Sequence, residues 1–205
     1  MVIVRKIIGE VLMAPVKKNF KIYQGSTFSE VLRWESSTPV FKNITAITKT
    51  APVVVTAVAH GLVAGWRARI SNAGGMKEIN SEDYTVITEV TTDTVTFGSI
   101  NAAGYTTYTT GGVLEYNQPV SLTGYTARMQ LRTKLADTAF LLELTSANGG
   151  IVIDTVNKTI LLTISAADTA LLTFKSAVYS LEMVNGTTVI PLIYGNFTLE
   201  SEITR

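Results

Sequence analysis

The stretch from Leu122 to Arg132 limits what this chain can fold into more than any other. Tyr125, Ala127, Met129 and Leu131 alternate with Thr126, Arg128, Gln130 and Arg132. Strict alternation puts the first set on one face of a strand and the second on the other, which no helix would do. Thr123-Gly124 ahead of it is a turn signal. The stretch therefore reads as a central strand of a two-sheet β-sandwich, with one face in the core and an arginine-bearing face outside.

The flanking sequence repeats the pattern. Phe20 to Tyr23, Thr27 to Trp34, Phe140 to Thr145, Thr159 to Ile164, Val178 to Val184, Thr187 to Tyr194 and Asn196 to Thr204 read as further strands. They are punctuated by Gln24-Gly25-Ser26, Asn148-Gly149-Gly150 and Asn185-Gly186, and the last of these is a strong hairpin signal. Ser165-Ala166-Ala167-Asp168 has capping-box spacing and predicts one short helix. Between about Asn43 and Tyr116 the composition changes. Strands become short and are separated by His60-Gly61, Gly74-Gly75, Asp93-Thr94, Gly104 and Gly111-Gly112, a spacing that suggests a small β-barrel or sandwich. Ser37-Thr38-Pro39-Val40 and Asn117-Gln118-Pro119-Val120 both read as loop ends. The organisation expected is all-β: an N-terminal arm (1–18), a discontinuous immunoglobulin-like β-sandwich domain (19–42 and 117–205) and an inserted small β-barrel domain (43–116).

Composition narrows the function classes. Net charge is +1, so no global field draws the chain to nucleic acid. No cysteine is present, which removes thiolate nucleophiles, disulfides and cysteine-based metal sites, and one histidine cannot make a His-rich site. Met1 to Leu12 is apolar but broken by Arg5, Lys6, Gly9 and Glu10. It is therefore too short for a membrane span or signal peptide. Charged residues are 16% against roughly 25% in ordinary soluble domains, and mean hydropathy is +0.28. A surface so poor in charge suits burial against other subunits, and a homo-oligomer is expected. Val2, Ile3, Ile7 and Ile8 of the arm are candidate interface residues, either against a neighbour or as an extra edge strand of the same chain. Arg128 and Arg132 are candidates for charge pairs across subunits.

Candidate chemistry is sparse. His60 precedes a glycine turn with no nucleophile or carboxylate near it in sequence, so a ring nitrogen bonded to loop backbone is the expected role. Glu78, Asn80, Glu82 and Asp83 are oxygen-rich, but their spacing matches no standard calcium loop. Gly74-Gly75 lacks the spacing of a phosphate loop and reads as a tight turn. Arg67 and Arg69 alternate with Trp66, Ala68 and Ile70. With Tyr105 and Tyr108, the residues Trp66, Arg67 and Arg69 form the candidate surface for an anionic or sugar ligand. No catalytic residue, cofactor or metal site is expected.

Two groups of motifs resemble known families. Leu122 to Arg132, Asn148-Gly149-Gly150-Ile151, Thr163 to Asp168 and the ending Phe197 to Leu199 with Ile203 to Arg205 together resemble the immunoglobulin-like N-terminal domain of tailed-bacteriophage baseplate upper proteins. Ala51 to Ala57, His60-Gly61-Leu62, Gly74-Gly75-Met76, Glu78-Ile79-Asn80, Tyr84-Thr85-Val86 and Tyr108 to Gly112 resemble a module of phage tail and virion proteins. That module is similar to the first catalytic-cysteine half-domain of ubiquitin-activating enzymes, though thioester chemistry is impossible without a cysteine. The resemblance implies a virion structural protein of a tail, baseplate or collar, assembled in the host cytoplasm. It would link the particle to fibres or receptor-binding proteins by protein interfaces, without catalysis. The alternative is a module that reads a host-surface glycan through the inserted domain.

Overall fold

A computed structural model describes residues 2–6 and 15–202. The chain forms two compact units, one of Met1–Glu35 with Pro119–Arg205 and one of Ser36–Gln118. They are called here the outer and the inner unit.

The outer unit is a β-sandwich. One sheet holds β1 (Val2–Lys6), the first part of β4 (Phe28–Asn43), β14 (Ile151–Asp154) and β15 (Thr159–Ile164). The other runs in the order β13 (Leu142–Thr145), β12 (Thr126–Arg132), β16 (Ser176–Asn185), β17 (Thr188–Glu200). The short strands β2 (Val16–Lys17) and β3 (Phe20–Tyr23) lie parallel on β17. Alternation does the work expected of it: Ala127, Met129 and Leu131 of β12 are buried, as are Ala177, Tyr179, Leu181 and Met183 of β16. They join Leu32, Ile160, Leu162 and Ile164 from the first sheet in one core. Phe20, Phe28, Tyr179 and Phe197 cluster with centroids 4.9–5.5 Å apart, tilted or edge-on as ring quadrupoles favour.

Two local signals act as expected. Ser165 caps α1 (Ala166–Ala170) by accepting the Asp168 N–H at 3.1 Å. Asn185-Gly186 sits at the β16–β17 hairpin, with Asn185 paired to Thr188 and Gly186 at φ +56°. Glycine is required for a different reason at Gly195, where a Cβ would collide with the backbone carbonyl of Lys18. That absence of a side chain lets the β2–β3 segment lie against β17.

The inner unit has its own core of Val53, Val55, Trp66, Ile70, Met76, Ile87, Val95, Phe97, Leu114 and others. One sheet is β5 (Ala46–Ile47), β6 (Val53–Thr56), β10 (Thr94–Phe97) and β9 (Glu89–Val90) in that order. The second group joins the end of β4 to β11 (Thr110–Pro119), β7 (Arg67–Gly74) and β8 (Thr85–Val86). A 3₁₀ turn covers Lys77–Ile79. The small barrel expected here does not close. The four-stranded sheet ends at β5 and β9, each held by a two-residue register, too little to carry the ladder round.

The unit boundary also differs from the expected 43 and 116. Ser36 to Pro39 continues β4 as strand, and Asn117 to Pro119 continues β11. Serine, threonine and valine accept extended backbone, and proline's fixed φ is compatible with it where no ladder donor is needed. Composition therefore marked a loop where the chain runs straight on.

Candidate functional site

The arginine-bearing face of β12 forms the floor of a groove of about 710 Å³ within the outer unit. Its sides follow from register. Arg128 lies opposite Glu182 of β16, and Gln130 lies opposite both Ser180 of β16 and Glu143 of β13. Tyr194 and Asn196 of β17 and Lys17 of β2 extend the floor, Lys17 being paired with Tyr194. Leu135, from the connection between β12 and β13, completes the lining and is 90% exposed. The same connection exposes Phe140 and Leu141.

The charges in this groove are held in two ways. Arg128 places Nε and Nη2 at 2.8 and 2.7 Å from one oxygen of Glu182, an exposed cross-strand pair worth about 0–1 kcal/mol. Among the described residues, Arg132 is held only by neutral acceptors. Its Nη2 donates to Gln130 Oε1 at 2.7 Å and its Nη1 donates to the Asp137 carbonyl. Gln130 Nε2 in turn donates to Glu143 Oε1 at 2.6 Å. The result is a row Glu143–Gln130–Arg132 whose ends carry opposite charges, each fixed in place by the glutamine rather than by a counter-ion. Beneath the floor, the Tyr179 hydroxyl donates to the Lys18 carbonyl at 2.7 Å, and burial pushes its phenol well above the usual range.

The other expected surface does not form. Trp66 is fully buried, with Nε1 donating to the Asn117 carbonyl at 2.8 Å, so it reaches no ligand. The reason is parity. Trp66 shares a face with Ala68 and Ile70, and that face is the core. Arg67 lies 4.8 Å from the Tyr84 ring centroid, and Arg69 pairs with Glu115 at 2.7 Å and with Glu82. Tyr84 donates to Glu115 at 2.7 Å. These arginines are spent inside the unit. Tyr105 is half-buried against the core, and Tyr108 donates to the carbonyls of Gly111 and Ile44.

His60 is 1% exposed. Its Nδ1 accepts the Leu62 N–H at 3.0 Å and its Nε2 lies 3.1 Å from the Thr94 carbonyl, so one ring nitrogen holds loop backbone and the other meets the start of β10. The oxygen-rich loop is likewise dispersed. Glu78 accepts from the Thr106 backbone and hydroxyl, Asn80 bonds both backbone groups of Ala73, and Glu82 goes to Arg69. The backbone N–H of Glu78 itself, and then the Thr106 bonds, hold the Glu78 carboxyl below its ordinary value. Of the arm, Val2 and Ile3 belong to β1, which pairs with β4 as a strand of the same chain, and Ile3 is half-buried. Ile7 and Ile8 lie outside the described residues.

No protein-family model matches the chain, and no curated protein matches it.

Of the groove, Arg128 and Arg132 were legible in the sequence. Gln130 shares their parity and could have been added by the same rule. Glu143, Tyr194 and Lys17 come from strands whose pairing is not local, and only register brings them in. Leu135 carries a signal of its own, a large apolar residue in a polar connection.

Proposed function

We propose that this chain is a structural component of a tailed-phage virion, in the tail, baseplate or collar. It works by joining other virion proteins through interfaces, and no catalytic step is assigned to it. The observation that carries this reading is the outer-unit groove. It joins a fixed polar row to the exposed apolar side chain of Leu135, whose connection also leaves Phe140 and Leu141 in solvent, a combination typical of protein interfaces. The order of phage-like motifs along the outer unit, and the low charge of the chain, support the same reading. The glycan-reading alternative depended on exposed aromatics in the inner unit, and with Trp66 buried no observation favours it.

The test is recovery of the chain from tailed particles made from the genome that encodes it. Particles purified by density banding should contain the chain at fixed stoichiometry, and gold-labelled antibody should mark the tail or its ends. A chain found only in the free lysate would sink the proposal.

A further inference from the structure

We infer that the β12–β16–β17 face is a two-fold contact with a second copy of this chain, in which Arg132 of each copy meets Glu143 of the other. This rests on the interface reading above and names its partner.

The argument is self-complementarity. In a two-fold contact residue i meets j and j meets i, so a patch that pairs with itself must carry both members of each complementary pair. The row Glu143–Gln130–Arg132 does. Its anion and its cation lie on either side of Gln130, and each is held by a neutral group. Among the described residues Arg132 has no carboxylate within ion-pairing distance. A two-fold axis passing close to Gln130 lays the Arg132 end of one copy over the Glu143 end of the other. An acidic partner would satisfy Arg132 and leave Glu143 facing a like charge. A second copy satisfies both.

The surroundings fit the same operation. Arg128 and Glu182 already neutralise one another and ask nothing of a partner. Leu135 lines the groove of about 710 Å³, and the connection that carries it also exposes Phe140 and Leu141. Reciprocal seating of that connection covers apolar surface that a free monomer leaves in water. The exposed apolar connection supplies affinity, while the charge pair sets register and excludes wrong partners. Gln130 fixes both charged side chains before contact, which lowers the entropy lost on association.

Charge exchange tests this directly, using the full chain and sedimentation or light scattering. The wild type should be a dimer at micromolar concentration. Arg132→Glu and Glu143→Arg should each give folded monomers, with dissociation constants raised by at least about tenfold, as for like charges set face to face. An equimolar mixture of the two variants should return to dimer, because each contact then pairs Glu with Arg. The double variant should dimerise with itself. A circular-dichroism melt matching the wild type shows that each variant is folded. Should a single exchange fail to fold, the double variant and Gln130→Ala carry the test.

A wild-type monomer, a dimer indifferent to either exchange, or two monomeric variants that mixing fails to rescue would each overturn the inference. The last result would point to another protein in the groove. A wild-type monomer that still enters particles sinks this contact and leaves the proposed function standing. A dimer absent from particles does the reverse.

Discussion

The two units reach the same all-β class by different means. In the outer unit the ladder is the organiser. Long paired strands such as β16 and β17 alternate faces, and the core is whatever points inward. In the inner unit the strands of the four-stranded sheet are only two to four residues long, and side chains hold loops by bonding to backbone. His60 ties its own loop to the start of β10, Trp66 reaches the Asn117 carbonyl, Asn80 closes on Ala73, and Tyr108 ties Gly111 to Ile44. A ladder distributes its stability over many equivalent bonds. An anchored loop concentrates it in a few side chains, each of which leaves buried backbone unpaired when removed.

The largest test of this contrast is excision. Val120 N–H donates to the Trp34 carbonyl at 3.0 Å, so the ends left by removing residues 36–118 already lie side by side in the outer ladder. Joining Glu35 to Pro119 with a short Gly/Asn turn should leave a chain that melts cooperatively. Calorimetry showing no cooperative transition would mean the outer ladder does not stand alone. Excising only 43–116 should serve less well, since it leaves the ends of β4 and β11 without β7.

Next in size is Phe197→Ala, which empties the centre of the aromatic cluster and should cost about 3–5 kcal/mol in denaturant titration. A loss below about 1 kcal/mol would show the ladder tolerating a hole and weaken the contrast.

His60→Ala should cost less, about 1–2 kcal/mol, because the Leu62 N–H loses its partner while the Thr94 carbonyl keeps the Thr91 N–H. Amide exchange should locate the damage at Leu62, whose N–H His60 accepts. Uniform loss of protection across the inner unit would mean that its loops are not separately anchored.

The smallest effect concerns a loop of the outer unit built in the inner manner. Asp154 accepts bonds from the Val156 and Asn157 backbone and from the Asn157 amide. These bonds, those from Asn157 above all, depress its carboxyl below the ordinary value. A depressed folded value contributes stability that is present above the unfolded carboxylate range and lost as pH falls through the folded value. Melting temperatures across the acid range should therefore fall less steeply for Asp154→Asn than for wild type. Parallel curves would show the loop contributing nothing.

Legibility followed the same contrast. The outer core could be read from β12 outward because period two is a local signal, and Tyr179, Leu181 and Met183 announce their face without knowledge of their partners. Helix α1 was readable from Ser165 and Asp168 alone. The inner unit was misread where a residue's role depends on what lies across from it. Trp66 reads as a surface aromatic until the Asn117 carbonyl is placed against its ring nitrogen. Arg69 reads as a free cation until Glu115 is placed opposite it on β11. Ser36 to Pro39 has loop composition, yet strand β4 carries it straight. The groove was half legible: parity gave its arginines, while Glu143 and Lys17 needed a register that sequence spacing does not supply.

The docking of β2 and β3 on β17 has a consequence for the chain as it is made. Phe20 finds its ladder partner in Phe197, and Lys17 in Tyr194. A ribosome releases the first member of each pair long before the second exists. Until then Phe20 and Ile22, both destined for the core, have no strand to lie on. Closure of the outer sheet must wait for nearly the whole described chain and must bridge a very long loop, which slows folding. Meanwhile an apolar segment is open to the same segment of a neighbouring nascent chain. Growth temperature and expression rate should therefore govern the soluble yield of this protein more strongly than its final stability does.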